Sequence, residues 1–179
     1  MIDSRTSRVL PGYGRIVVSR VLRTTRLELV LLEPESAREL AAGTSRNGRM
    51  WAPGYPMAAS LLRAELTAAA AASGRPLGGF GTYQVVRRED GMVIGDVGFL
   101  GPPDATGAVH VGCGITEGAR RHGYATEALT ALLAWARGQS GLTCVLADTT
   151  RSNVGGQRLL ERVGMHPIGE DGELLYYMT

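Results

Sequence analysis

The stretch Ala119–Ala136, ARRHGYATEALTALLAWA, sets the frame for the rest of the chain. Ala125, Ala128, Leu129, Leu132, Leu133 and Ala136 recur at helical spacing and make one apolar face. The pattern predicts a helix beginning near Gly123 or Tyr124. The first four amides of a helix have no partner inside it, and its N-terminus carries about half a positive charge, so an anion is its natural guest. The entry position lacks the usual Ser, Thr, Asp or Asn cap. Arg120 and Arg121 bring positive charge instead, Gly123 removes a side chain where a ligand could come close, Ala125 is small, and Thr126 offers a hydroxyl. A turn dressed this way suits a phosphate. The plain alternative is a strand-to-helix turn that holds Gly and Arg by chance.

The segment ahead of it, AVHVGCGI (108–115), narrows the choice. Strand alternation puts Val109, Val111, Cys113 and Ile115 on a core face and His110, Gly112 and Gly114 on the other. Two glycines on one strand face cost stability and mark a bulge or a place where a ligand or another backbone packs closely.

Outward from this centre, Arg26–Leu32 is β-leaning and stops at Pro34, which suits a helix start, with Gly43 past the end. A turn-rich loop with Trp51 and Tyr55 precedes a second helix from about Pro56 to Ser73. Thr82–Arg88 and Met92–Leu100 flank an Asp-Gly turn and predict a hairpin. After the central strand and helix come the strand LTCVLADTT (142–150), a helix over Val154–Arg162 closed by Gly164, and a last hairpin around GEDGE (169–173). The order β-α-α-β-β-β-α-β-α-β-β predicts one α/β (α+β) domain on a mixed sheet over residues 24–179, with residues 1–23 as an N-terminal extension, partly ordered at most.

Composition agrees with one core: 179 residues, 44% hydrophobic and 20% charged. A formal charge of +2 argues against a face that captures nucleic acid by counterion release. All 19 basic residues are arginine, which removes Walker-type phosphate loops and lysine Schiff-base chemistry. Cys113 and Cys144 read as free thiols of a reducing cytoplasm, and the three scattered histidines give a metal site no support. No signal-peptide core stands at the start and no run approaches the roughly 20 apolar residues of a membrane helix. A soluble, cytoplasmic protein is expected. Dimerisation is left open.

Arg120, Gly123 and Ala125 fit the R/Q-x-x-G-x-G/A signature, and the chain resembles the GNAT superfamily of N-acetyltransferases. GYATEAL (123–129), NVGGQRLLERVGM (153–165) and TTRLELVLLEP (24–34) look like the RimJ/RimL-like branch, which acetylates ribosomal-protein N-termini. The resemblance runs from Thr24 to the C-terminus and implies a GNAT-like domain that uses acetyl-CoA as cosubstrate. It implies that the turn Arg120, Arg121, His122, Gly123, Tyr124, Ala125 and Thr126 cradles the CoA pyrophosphate, and that the strand end Cys113, Gly114 and Ile115 pairs with the pantetheine arm like an added strand. Asn153 would bond the pantetheine or thiol side; as a residue it is equally a helix cap.

Transfer to an amine needs a base, oxyanion donors and a proton for the departing thiolate. His110, on the glycine face, is the candidate base, the alternative being a satisfied or exposed histidine. The resemblance points to a tyrosine or serine donor where this chain has Leu160 and Gly156, which leaves water, Tyr176 or Tyr177. Trp51 and Tyr55 look placed to wall the acceptor pocket, or to anchor their loop. Glu33 and Asp96 are candidates to receive a cationic amine. The expected activity is acetyl transfer to a primary amine of a small molecule or of a protein N-terminus. An acyl-CoA-binding module with little or no turnover is the alternative, and a nucleotide-phosphate binder unrelated to CoA ranks last.

Overall fold

Strands rich in Val, Ile and Leu need cover on both faces, and helices supply it here. The computed structural model describes residues 5–10, 14–44, 48–74 and 77–179. The elements are β1 (Arg5–Leu10), β2 (Gly14–Ser19), β3 (Val21–Arg23), β4 (Leu27–Leu31), α1 (Pro34–Ala41), α2 (Ala58–Ala72), β5 (Thr82–Arg87), β6 (Val93–Phe99), β7 (Ala108–Ile115), α3 (Tyr124–Arg137), β8 (Cys144–Thr150), α4 (Val154–Arg162), β9 (His166–Asp171) and β10 (Leu174–Met178). From β4 onward this is the expected order. Within the expected extension, residues 1–4 and 11–13 lie outside the described residues, β1 and β2 pair only with each other, and β3 is already part of the main sheet.

That sheet has eight strands in the order β3-β4-β5-β6-β7-β8-β10-β9. Its neighbours are antiparallel except β7 and β8. α3 lays Leu129, Leu132, Leu133 and Ala136 on one face, against Leu27, Leu29, Val97, Val109 and Val111. On the opposite face Leu40 of α1 and Ala64 of α2 cluster with Leu32, Tyr55, Val86 and Val93. Every residue of β6 is buried, as covered faces require. Each wholly buried leucine contributes about 1.5–3 kcal/mol relative to exposure. No helix among the described residues is long and apolar enough to cross a membrane.

The parallel pair positions the site. Its ladder joins only Ala108–His110 to Cys144–Leu146. β7 runs on to Ile115 and β8 to Thr150 without a shared ladder, so the two strands part, and the edge of β7 facing the gap is left without a strand partner.

Candidate functional site

At the mouth of that gap the chain turns from β7 through a short 3-10 turn, Glu117–Ala119, into α3. Gly123 is the N-cap of α3, with φ 79°, and no side chain caps the helix. Arg121 is also left-handed, with φ 66°. The first helical bond runs from the Glu127 amide to the Gly123 carbonyl, so the amides of Tyr124, Ala125 and Thr126 belong to the open end. They face a cavity of about 790 Å³ lined by the strand end Cys113–Ile115, by Arg120, Arg121 and Gly123–Thr126, and by Asn153 with the first turns of α4.

Among the described residues four arginines, Arg120, Arg121, Arg158 and Arg162, line this cavity, and no carboxylate does. The sequence reading named the first two and missed the α4 pair, although an i,i+4 spacing on a helix that follows Asn153 puts both on one face. The Arg120 Nε donates to the Ile115 carbonyl at 3.0 Å, so part of its guanidinium fastens the turn to the strand. His122 is turned along the loop: its Nδ1 lies 2.7 Å from the Arg120 carbonyl, and its ring stacks on Tyr124. It is not among the cavity-lining residues. Asn153 lines the cavity and is also the cap of α4, accepting from the Gly156 amide and donating to the Thr149 hydroxyl, both at 3.0 Å. Its alternative role as a cap is therefore real, and one N–H and part of the carbonyl oxygen are left for a ligand.

His110 stands where the β7–β8 ladder ends, on the face opposite Val109 and Val111. Its Nδ1 lies 3.8 Å from Oδ1 of Asp148, and both side chains are partly exposed, at 40% and 46%. Asp148 in turn is the register partner of Tyr176 on β10. Tyr177 packs in the core. Leu160 is core as well, and Gly156 is held by the Asn153 cap. Asp148 escaped the sequence reading because strand pairing, not spacing, brings it to His110.

The glycine face of β7 is not bare. A Cβ on Gly112 would sit 3.1 Å from Arg63 Nη1, and one on Gly114 would sit 2.8 Å from Met57 Cε. The glycines therefore make room for side chains of α2 and its N-cap. Arg63 pairs with Asp96, which is fully buried and lies opposite Gly114 in register. Asp96 is thus engaged by Arg63, not open to an incoming amine; Glu33 pairs with Arg20 at 3.4 Å. Arg63 could have been found from Ser60, Arg63, Ala64 and Thr67, which share the buried face of α2 at helical spacing.

Burial first, and then the charge of Asp96 against the opposing Arg63, pushes the Cys113 thiol up to about 12. That argues against it as a nucleophile. Tyr55 is buried, accepts a 3.3 Å hydrogen bond from Gln84 and meets Trp51 edge to face at 5.6 Å. Burial and then Asp96 raise its hydroxyl pKa above the ordinary value, so it stays protonated. Neither Trp51 nor Tyr55 lines the cavity beside α3; both pack with the cluster that α1 and α2 form on the other face of the sheet.

Comparison with known proteins agrees with this geometry. A model of the acetyltransferase (GNAT) domain matches residues 26–166. The uncharacterized N-acetyltransferase YjdG of Bacillus subtilis (strain 168) is 33% identical over 86 residues, a match that spans 48% of this chain and about half, 51%, of that relative. An acetyltransferase of Agrobacterium tumefaciens str. C58 superposes with a TM-score of 0.60 at 25% identity, covering 89% of this chain and 93% of the other. RimL, a ribosomal L7/L12 alpha-N-protein acetyltransferase solved with coenzyme A, superposes with a TM-score of 0.63 over 89% of this chain and 97% of its own. At 14% identity that last likeness concerns the fold.

Proposed function

This chain belongs to the acetyltransferase (GNAT) domain family, and from that premise we propose that it carries an acetyl group from acetyl-CoA to the nitrogen of a primary amine. One observation carries the proposal: an uncapped helix N-terminus opens on a cavity ringed, among the described residues, by four arginines and no carboxylate, at the point where two parallel strands part. A polyanion with a long, narrow arm is the matching ligand. The amides of Tyr124, Ala125 and Thr126 would hold the pyrophosphate, Arg121, Arg158 and Arg162 would meet the phosphates, and the free edge of β7 at Cys113–Ile115 would pair with the pantetheine amides. Acetyl-CoA supplies the acetyl group as a thioester already activated toward amines, and places the reaction in the cytoplasm.

The protein's own part begins with His110. As a neutral imidazole it takes the proton of the attacking amine, and Asp148, facing Nδ1, stabilises the charge that results and leaves Nε2 for the amine. Tyr176 shares the face of Asp148 and is the terminal tyrosine that can return a proton to the leaving sulfur. Juxtaposing the two reactants supplies several kcal/mol of the barrier reduction, so a modest base suffices.

The acceptor is a small-molecule amine or a protein α-amine. A second reading, an acyl-CoA-binding module with little or no turnover, draws on Leu160 and Gly156 at the places where the family resemblance leads one to expect proton donors. Release of free CoA from acetyl-CoA, followed with a thiol reagent across small amines and N-terminal peptides, separates the two. Turnover with at least one amine is expected, and His110→Gln should lower kcat by about a hundredfold or more and change the shape of the pH profile. Tight CoA binding without turnover on any amine would favour the module, and an unchanged pH profile in the variant would dismiss His110.

A further inference from the structure

Two stretches about a hundred residues apart are tied together by one carboxylate and one guanidinium. Glu127, in the first turn of α3, accepts from the Thr24 hydroxyl at 2.6 Å and the Arg26 amide at 2.8 Å through Oε1, and from the Arg26 Nε at 2.7 Å through Oε2. The same guanidinium donates through Nη1 to the His122 carbonyl at 2.9 Å and lies over the Tyr124 ring, 4.7 Å from its centroid. A Cβ on Gly123 would stand 3.4 Å from its Nη2. Arg26 thus touches His122 and Tyr124 and stands beside Gly123 between them, yet it is not among the residues that line the cavity.

These contacts answer a problem that the turn creates for itself. A carboxylate in the first turn of a helix is favourable beside its positive pole, but there it competes with any anion arriving at the same pole. Glu127 is such a carboxylate, and Thr24 and Arg26 saturate it from the side away from the cavity. The turn also holds Arg121 in a left-handed conformation, at φ 66°, which surrounding structure has to maintain, and Gly123 at φ 79°, which glycine adopts freely. The bond from Arg26 to the His122 carbonyl falls between those two residues.

We propose that Arg26 is a positioning residue for acetyl-CoA binding: it cancels the Glu127 charge and pins the His122 carbonyl, so that the amides of Tyr124, Ala125 and Thr126 are set for a phosphate with no free carboxylate beside them. The inference rests on the acetyl-CoA reading. It assigns the family-like TTRLEL and GYATEAL segments one shared task, with Thr24, Arg26, His122 and Glu127 as its parts. Arg26 acts through the loop and touches no reacting atom.

The test is calorimetric titration of CoA into the wild type, Arg26→Gln, Glu127→Gln and the double variant, below the unfolding temperature, together with steady-state kinetics. Arg26→Gln should raise the Kd for CoA roughly tenfold, the lower end of what losing an orienting partner costs at metal sites. Its KM for acetyl-CoA should rise in step while kcat stays within about twofold, since a Kd effect at unchanged chemistry appears in KM. The double variant should bind CoA more tightly than Arg26→Gln alone, because the stranded carboxylate is gone. A purely structural role would lower the melting temperature of the apo protein and leave Kd unmoved. Wild-type CoA affinity in Arg26→Gln would overturn the inference alone; a double variant no tighter than the single would overturn the charge-cancelling part. Absence of CoA binding by the wild type would instead overturn the acetyl-CoA reading and this inference with it.

Discussion

Alanine at Gly123 perturbs the proposed phosphate-binding turn with the smallest possible change. With φ 79°, an L-residue there costs about 1–2 kcal/mol. Its Cβ would meet the Arg26 Nη2 at 3.4 Å, an ordinary contact, so no further clash adds to that cost. For a chain of this size each kcal/mol moves the melting temperature by about 2–4 °C, and the apo variant should melt roughly 2–8 °C lower. CoA at about 100 times its Kd stabilises the wild type by about 2.7 kcal/mol, a rise of roughly 5–11 °C. If the methyl group stands where the pyrophosphate approaches and raises Kd about a hundredfold, the same CoA concentration contributes only about 0.4 kcal/mol, or roughly 1–2 °C. Gly172→Ala is the control: its φ is 56° and a Cβ there would meet open space, so it carries comparable backbone strain in the last hairpin, away from the turn. It should lower the apo melting temperature and keep the full CoA-induced rise. Differential scanning fluorimetry reads all four quantities. A Gly123→Ala protein that keeps the wild-type rise would refute the cradle, whatever its apo stability.

Three further outcomes follow from buried or paired charges. Asp96→Ala strands the Arg63 guanidinium in the interior and should cost about 3–5 kcal/mol in urea unfolding, whereas replacing both members with Met and Leu should cost far less; equal losses would mean that the pairing is not what matters. Cys113 should resist iodoacetamide at pH 7.5 in the native protein, because its thiolate forms only as pH climbs toward about 12; mass-spectrometric labelling at the rate of a free thiol would contradict the raised thiol pKa. Burial alone would push the Glu127 carboxyl up, but the bonds from Thr24 and from the Arg26 amide and guanidinium outweigh it and hold it below the usual range. A depressed folded-state pKa stabilises above the unfolded value, about 4.3, and that stabilisation is lost as pH falls through the folded one. The stability gap between wild type and Glu127→Gln should therefore be present at pH 7 and narrow on acidification; a gap that does not narrow as pH falls would have another origin.

What could be read from the sequence was whatever depends on local periodicity and local chemistry. The α3 face, the Asp-Gly hairpin and the uncapped turn at Gly123 are properties of neighbouring residues, and the structure places them where spacing does. The glycine face of β7 was read correctly as a close approach, but what approaches it is side chains. Gly112 and Gly114 admit Arg63 and Met57, which lie about fifty residues upstream, and nothing in the strand records what packs on it. Asp96 looked like an amine receptor for the same reason, since its partner is settled by how α2 crosses the sheet. Asp148 beside His110 and Arg26 beside Glu127 likewise arise only when strands and helices are assembled.

Topology explains why the cavity-lining residues converge although they are scattered along the chain. Antiparallel neighbours can be closed by tight turns, but the parallel pair β7 and β8 requires a crossover, and here the crossover is α3. A crossover helix starts where its strand ends, so the uncapped N-terminus of α3 must lie beyond the end of β7. α4 follows β8 by the same logic and brings Asn153, Arg158 and Arg162 to the same end of the sheet. Parting of the two strands between these helix starts leaves the edge of β7 free and sets His110 and Asp148 at the bottom of the gap, on the face away from the α3-covered core. On that face Met57 and Arg63 close the surface above Gly112 and Gly114, while His110 and Asp148 keep a large part of their side chains exposed. The sheet itself thus separates the arginine-lined cavity from the His110–Asp148 pair. Substitutions at Gly123 or Arg26 should move cofactor binding and spare kcat, and those at His110 should do the reverse; a His110→Gln protein with weakened CoA affinity and an intact pH profile would mean that the strands do not separate the sites in this way.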